Sequence, residues 1–201
     1  MTYSNVASRL LLAVVLAAGA ACGSAPASRV SSGPESLTNG LLGPAYSQWL
    51  VGAIARMATR AEIDAYLSLS DDLAAADAIE AFWRARDDDP AVPGNTLRAR
   101  YEERAAEADR RFSEAAYLGR RTARGLVFTL YGPPTEIKYE VAPQGGPGIE
   151  VWTYGPEVGL GLDGSKVPAF YRFRRVGELT TFYRPAVGRA RPGSPVEFDP
   201  P

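Results

Sequence analysis

The sequence predicts an α+β fold in which N-terminal helices pack on a C-terminal antiparallel sheet of about four to five strands. Between Pro44 and Phe112, apolar residues recur every three or four positions, the spacing of an amphipathic helix. After Gly119 the pattern changes to short runs of β-branched and aromatic residues separated by turn signals, as in strands. Because the helices precede the strands instead of alternating with them, the two layers should be segregated.

The first two helices are expected between residues 44 and 67. Apolar and aromatic residues at 46–57 have helical spacing, and Pro44 should begin this helix, since proline is favoured in the first turn. A short buried strand is the alternative for this segment. Thr59 and Glu62 have the spacing of a capping box, which predicts a second helix that continues to Leu67.

Two longer helices should follow. The third begins at 70–72, where two aspartates would lie at the positive end of the helix dipole. It should end before Pro90, because the residue that precedes a proline avoids helical angles. Asn95 is a suitable N-cap for the fourth helix, whose apolar face runs to Phe112. The charged residues of its opposite face are interpreted as a solvated, self-paired surface.

The sheet is expected in the last third of the chain. The predicted strands cover 126–131, 137–141, 149–154, 169–174 and 179–184, and the last two form a hairpin. Gly132 and Pro133 begin the turn that ends the first strand. The Asp-Gly pair at 163–164 signals a further tight turn.

Residues 1–21 have the parts of an export signal, with a basic start, an apolar run at 10–16 and small residues after it. The apolar run is too short to span a bilayer, which takes about 20 residues. Cys22, the only cysteine, follows directly. This arrangement resembles the lipobox of bacterial lipoproteins, in which the cysteine is acylated, although Gly19 replaces the usual leucine. The resemblance implies a membrane anchor at Cys22.

Export would place the protein in the cell envelope, at the outer membrane if the host has one, since Gly23 is not the aspartate that often retains lipoproteins at the inner membrane. Cleavage at 18–20 to release a soluble periplasmic or secreted protein is the alternative, and an uncleaved anchor is a third. Residues 22–43, rich in Gly, Ser, Ala and Pro, are predicted to be a flexible tether. A single domain should cover 44–187, followed by a Pro-rich tail at 188–201.

Composition excludes several classes of function. The chain has no histidine, which rules out His-dependent triads and histidine metal sites. Its formal net charge is −1, so the sequence has no basic footprint for nucleic acid. The glycines at 159–161 lack the remainder of a phosphate-binding loop. No cofactor or metal is therefore expected.

Three segments resemble the GWxTD-domain proteins of bacteria. Residues 82–87, with Pro90 and Asn95, match the family pattern Phe-Trp-x-x-Arg-Asp, then Pro, then Asn. The segment 124–134 resembles its Arg-Gly strand and Gly-Pro-Pro turn, and 150–154 resembles its Glu-x-Trp-x-Tyr strand. The resemblance runs in order from about residue 46 to residue 183. Members occur among secreted proteins and lipoproteins, and the family implies no established biochemical activity. The family-motif residues carried over are Gly119, Thr122, Arg124, Gly125, Gly132 and Pro133.

The namesake motif is degenerate. Gly119 and Thr122 match Gly-Trp-x-Thr-Asp, whereas Arg120 replaces the tryptophan and Ala123 replaces the aspartate. If that aspartate is catalytic or a ligand in the family, this chain lacks the activity. If it caps the turn into the next strand, its loss costs about 1 kcal/mol. A structural role is favoured, because turn chemistry explains the glycine and the threonine without a substrate.

The leading hypothesis is a lipid-anchored interaction or scaffold module whose partner is an envelope protein or a cell-wall polymer. The candidate interaction residues are aromatic and basic residues of the strands: Trp152, Tyr154, Tyr171, Arg172 and Arg174. An enzyme that acts on envelope glycans through paired carboxylates is the alternative. Its candidate acids are Glu136, Glu140 and Glu150. A purely structural lipoprotein is the third hypothesis.

Overall fold

The structure is a computed structural model that describes residues 34–87, 91, 93–142 and 145–184. The predicted export signal at 1–21, the predicted lipidation residue Cys22 and the predicted tail at 188–201 lie outside the described residues. Those predictions therefore stay predictions.

The described residues form five α-helices followed by a four-stranded antiparallel sheet, which confirms the α+β prediction. The helices are Ile54–Met57 (α1), Arg60–Leu67 (α2), Asp72–Arg84 (α3), Thr96–Phe112 (α4) and Ala123–Tyr131 (α5), and 3₁₀ turns cover Pro34–Leu37 and Gly119–Arg121. The strands are Glu136–Glu140 (β1), Ile149–Thr153 (β2), Phe170–Val176 (β3) and Leu179–Phe182 (β4). No helix in the described part of the chain is long and apolar enough to cross a bilayer.

Side-chain caps begin the helices as the sequence predicts. Thr59 accepts a hydrogen bond from the Glu62 amide, and Glu62 accepts one from the Thr59 amide, which completes the capping box of α2. Asp71 caps α3 through the Ala74 amide. Asn95 caps α4 through the Arg98 amide and also donates to the Trp83 carbonyl, which joins α3 to α4.

The prediction of a strand at 126–131 is wrong, because these residues are the last six of the helix α5. Thr122 caps the helix by accepting from the Gly125 amide at 3.1 Å. Residues 127–131 are all buried, so the helix has almost no polar face there. A continuous apolar run carries no period that distinguishes a buried helix from a buried strand.

The helix expected at 46–57 is reduced to its last turn, α1. Residues 44–53 form turns instead, and Gly52 adopts a φ of +104°, which is outside the helical region. A Cβ at Gly52 would lie 2.5 Å from the Arg120 carbonyl oxygen. The turns still bury Leu50 and place Trp49 against the rings of Tyr66 and Phe82.

The described end of the predicted tether, from residue 36 to residue 43, belongs to the packed domain. Asn39 and Leu42 are buried, and the side-chain amide of Asn39 donates to the backbone carbonyls of Tyr66 and Leu69. The packed part of the chain therefore begins before Pro44, the boundary expected from the sequence. The sequence does not reveal this, because a polar residue such as Asn39 is found both in a flexible tether and in a loop that is bound to the end of a helix.

The sheet is an antiparallel meander in the order β1-β2-β3-β4. One of its faces packs on α4 and α5 through aromatic rings. The Phe112 centroid lies 5.4 Å from that of Trp152, and Trp152 lies 5.1 Å from Phe173. These buried rings connect the two layers of the fold into one core.

Candidate functional site

The degenerate motif Gly119–Ala123 forms the junction between α4 and α5. Gly119–Arg121 is a 3₁₀ turn, and Thr122 ends it and begins α5. The Thr122 hydroxyl donates to the Gly119 carbonyl at 2.8 Å and accepts from the Gly125 amide at 3.1 Å. The threonine of the motif is therefore the N-cap of a helix.

The glycines of this junction are required by close contacts of the backbone. A Cβ on Gly119 would lie 1.8 Å from the Ala108 carbonyl oxygen, and a Cβ on Gly125 would lie 1.8 Å from the Gly119 carbonyl oxygen. Both distances are impossible for real atoms. Glycine at these two positions lets α4, the 3₁₀ turn and α5 approach one another closely.

The two departures from the motif occupy different environments. Arg120 forms an ion pair with Asp109 of α4 at 2.6 Å, and its amide also donates to Asp109 at 2.8 Å. Ala123 is the first residue of α5 and is partly buried. An aspartate at that position would lie at the positive end of the helix dipole.

Arg124 lies at the start of α5 and joins two acids from other parts of the fold. Its guanidinium donates to Glu150 of β2 at 3.1 Å and to Glu114 of the loop after α4. Glu150 also accepts from the Trp152 indole at 2.6 Å, and Glu114 accepts from the Thr180 amide of β4. We call Glu114, Arg124 and Glu150 the Arg124 cluster. It fastens α5 to the sheet and to the loop.

The Glu114 carboxylate of the cluster is held in the ionised form. Burial alone would raise the pKa of Glu114, but hydrogen bonds from Thr180 and Arg124 outweigh burial and hold the pKa below its usual range. The Nε atom of Arg124 is buried without a hydrogen-bond partner among the described residues. A carboxylate bound in this way is a poor proton donor near neutral pH.

An open depression of about 360 Å³ lies beside the cluster. It is lined by Ser113, Glu114, Ala115, Arg175 and Glu178. Ala115 adopts a φ of +49°, in the left-handed region that alanine seldom enters. Sequence reasoning missed Glu114, because it follows α4 in a loop with no motif to mark it.

The predicted interaction residues separate into core and surface. Trp152, Tyr154 and Tyr171 are buried, with at most 4% exposure, and form part of the aromatic core. Burial leaves these three of the candidate interaction residues without a surface to offer a partner. Arg172 lies over the Phe170 ring at 4.4 Å on the opposite face of the sheet, and exposed Arg174 lies over Tyr183 at 5.5 Å.

The turn after α5 is also structural. Gly132 ends the helix with a φ of +83°, and its carbonyl accepts from the buried Tyr154 hydroxyl at 3.1 Å. Pro133 follows at the surface. Arg104 of α4 donates to the Leu130 carbonyl at 2.9 Å, which satisfies one of the free carbonyls at the end of α5.

The three acids named for glycan hydrolysis do not share a cleft. Glu136 and Glu140 lie on β1, four residues apart, and pair with Lys138 and Arg172. That spacing corresponds to about 13 Å along a strand. Glu150 pairs with Tyr139 of β1, and directly paired residues share a face of the sheet. Since Tyr139 alternates with Glu136 and Glu140 along the strand, Glu150 lies on the opposite face from these two acids. Within the described residues, no three potential ligand side chains are grouped to hold a metal ion.

The comparisons with known proteins give one result. The profile of the GWxTD domain family matches residues 44–160, which include all five α-helices, β1, β2 and the Arg124 cluster. Comparison with curated proteins and with solved structures gives no significant match. The match covers more than half of the chain and includes the α4–α5 junction. The chain belongs to the GWxTD-domain family.

Proposed function

We propose that this chain is a lipid-anchored lipoprotein of the cell envelope and that its GWxTD domain is a non-catalytic interaction or scaffold module. The observation that carries the proposal is the internal pairing of the family-motif residues. Gly119, Thr122 and Gly125 build the α4–α5 junction, and Arg124 binds two acids of its own chain. These residues stabilise the fold, and a role in chemistry is not needed to explain them.

The acid chemistry supports the same proposal. Glycoside hydrolysis needs one carboxyl group that is protonated and one that is ionised. Glu114 and Glu150 share the Arg124 guanidinium, and the pKa of Glu114 lies below its usual range. Glu114 therefore lacks the environment that would keep a proton for a leaving group.

The membrane anchor rests on the sequence around Cys22, which follows an export-like segment and is the only cysteine. Several acyl chains on one residue would hold the protein firmly, since each buried methylene contributes about 0.8 kcal/mol. The partner would then be a protein or polymer of the envelope.

The anchor is tested by feeding cells an alkyne-labelled fatty acid and comparing the wild-type chain with Cys22→Ala and Cys22→Ser. The wild-type protein should carry the label and sediment with membranes, and both variants should lose the label. A wild-type chain without the label, or variants that keep the label, would contradict the lipid anchor at Cys22.

The scaffold role is tested by crosslinking and affinity purification of the tagged chain from membranes, with Cys22→Ala as the control. We expect a stoichiometric envelope partner that is lost in the control. Release of soluble sugars from purified cell-wall polymer by the purified wild-type protein would contradict a non-catalytic module.

A further inference from the structure

The two edges of the sheet differ in how they are protected. At the β4 edge, Glu114 binds the Thr180 amide and α5 packs beside the strand. At the other edge, all five residues of β1 are exposed, and β1 pairs with β2 alone among the residues that the structure describes. An exposed edge strand offers unpaired backbone groups to another strand.

One side of this edge is apolar. Ile137 and Tyr139 point to the same side of the sheet as Trp152, because their register partners on β2 are Trp152 and Glu150. Their exposed fractions are 41% and 76%, and Val141, directly after the strand, is 90% exposed. A row of three exposed apolar side chains beside a free edge is unusual for a monomer.

The other side of the edge carries charges of alternating sign, namely Glu136, Lys138 and Glu140. Such a strand can be complementary to itself in an antiparallel pair. With the two-fold axis at Tyr139, Lys138 lies opposite Glu140 of the second copy, and the symmetry repeats this opposite-charge pair. Each pair of this kind stabilises a sheet.

The same register matches the apolar side chains. Ile137 then lies opposite Val141 of the second copy, and Tyr139 lies opposite its own counterpart. Cross-strand aromatic and β-branched pairs of this type are favourable. Lys138 and Glu140 keep their present contacts with Glu136 and Arg172, because an ammonium group and a carboxylate each accommodate more than one partner.

Two other registers, with the axis at Lys138 or at Ile137, are less favourable. An axis at Lys138 would place this lysine opposite itself and Glu136 opposite Glu140, so that like charges face each other at three positions. An axis at Ile137 would place Val141 opposite Pro133, and proline is confined to strand ends and edges because it lacks the amide donor.

We propose that two copies of this chain pair antiparallel through β1, with the two-fold axis at Tyr139, and form a continuous eight-stranded sheet. The pairing goes beyond the proposed scaffold role and does not depend on the lipid anchor. It covers the exposed apolar row and supplies hydrogen-bond partners for the β1 edge, which has none on that side among the described residues.

Cysteine crosslinking tests both the pairing and its register. The full chain is purified in mild detergent with Cys22→Ala, which removes the native thiol, and single cysteines are added at exposed positions. Tyr139→Cys should give a disulfide-linked dimer on mild oxidation, because directly opposite residues lie within disulfide reach. Ile137→Cys alone should not, since its two copies would be about 13 Å apart. Leu160→Cys, 70% exposed and distant in sequence, is the control for random collision.

Each outcome supports or contradicts the pairing through β1 or its register. A dimer from mixed Ile137→Cys and Val141→Cys chains, together with Tyr139→Cys, supports the register. A dimer from Ile137→Cys or Lys138→Cys alone would overturn the register. If Tyr139→Cys crosslinks no better than Leu160→Cys, the pairing itself is wrong.

Charge exchange gives an independent test by sedimentation equilibrium. Lys138→Glu and Glu140→Lys should each weaken self-association about tenfold, because like charges would then face each other twice. A mixture of the two variants should recover dimers, since every cross-strand pair becomes opposite in charge. Recovery of dimers in the mixture would exclude a folding defect in either variant, because a misfolded chain would stay misfolded in the mixture. Lys166→Glu, an exposed change outside the strands, should leave association unchanged, and failure of the mixture to recover would overturn the proposal.

Discussion

The Arg124 guanidinium on α5 lies 3.1 Å from the Glu150 carboxylate on β2 and joins the helical layer to the sheet. The acid is held in place by the Trp152 indole, whose ring lies in the aromatic core. This relationship connects two of the family's sequence motifs, which are 26 residues apart. The motifs are therefore parts of one structural joint.

The joint should be costly to break. Arg124→Met leaves Glu114 and Glu150 partly buried without their cation, and we expect a loss of about 3 kcal/mol in the free energy of unfolding. Arg98→Met, which removes the exposed pairs with Glu80 and Glu102, should cost less than about 1 kcal/mol. Denaturant unfolding monitored by tryptophan fluorescence measures both values. Equal losses in the two variants would contradict the structural role of Arg124.

The close contact of the α4–α5 junction predicts strong intolerance of a methyl group. Gly119→Ala should destabilise the protein by about 3 kcal/mol or more, because the added Cβ would overlap the Ala108 carbonyl and force the two helices apart. Gly40→Ala is the matched control, since no atom lies within 4 Å of its Cβ position. Thermal unfolding of the two variants checks the difference, and a tolerated Gly119→Ala would show that the junction can relax.

Restoring the aspartate of the namesake motif should stabilise the helix. In Ala123→Asp the carboxylate lies in the first turn of α5, where the dipole contributes about 0.3–1 kcal/mol at low salt. The gain should shrink at high salt and be absent in the neutral control Ala123→Asn. Melting temperatures at two salt concentrations measure it. A new enzymatic activity in Ala123→Asp, without such a gain, would favour a functional aspartate in the family.

The Glu62–Arg86 pair predicts acid sensitivity. The hydrogen bond from Arg86 is the main reason that the pKa of Glu62 falls to about 2 from an ordinary value of 4.5. Since the folded-state pKa is the lower one, this contribution to stability is present above pH 4.5 and is lost as the pH falls towards 2. Glu62→Gln should flatten the dependence of stability on pH in that window, as measured by urea unfolding. Asp77→Asn, an exposed change on α3, is the control.

Local chemistry accounts for the parts of the fold that the sequence predicts well. Thr59, Asp71 and Asn95 begin helices because their side chains bind nearby amides, and this requires only adjacent residues. The strands β1 to β4 lie close to their predicted positions for a similar reason, since turn residues separate them. The misplaced element, α5, is buried on nearly all sides, so its sequence lacks a polar face to reveal the helical period.

Long-range contacts explain what the sequence could not reveal at the site. Glu114 meets Thr180 across 66 residues, and neither position belongs to a recognisable motif. The burial of Trp152 and Tyr171 depends on where α4 and α5 pack, which alternation along a strand does not specify. The sequence predicts that these segments are aromatic strands. Which face of the sheet is covered becomes known only when the helices are packed against it.

The contact between Glu114 and Thr180 also bears on how the chain folds. The helices α4 and α5 are neighbours in sequence, and each strand pairs with the next, so most of the fold closes short loops. The bond from Glu114 to β4 closes a much longer loop, whose entropy cost is recovered only when the rest has formed. We therefore expect the loss of this contact to speed unfolding and to leave the folding rate nearly unchanged.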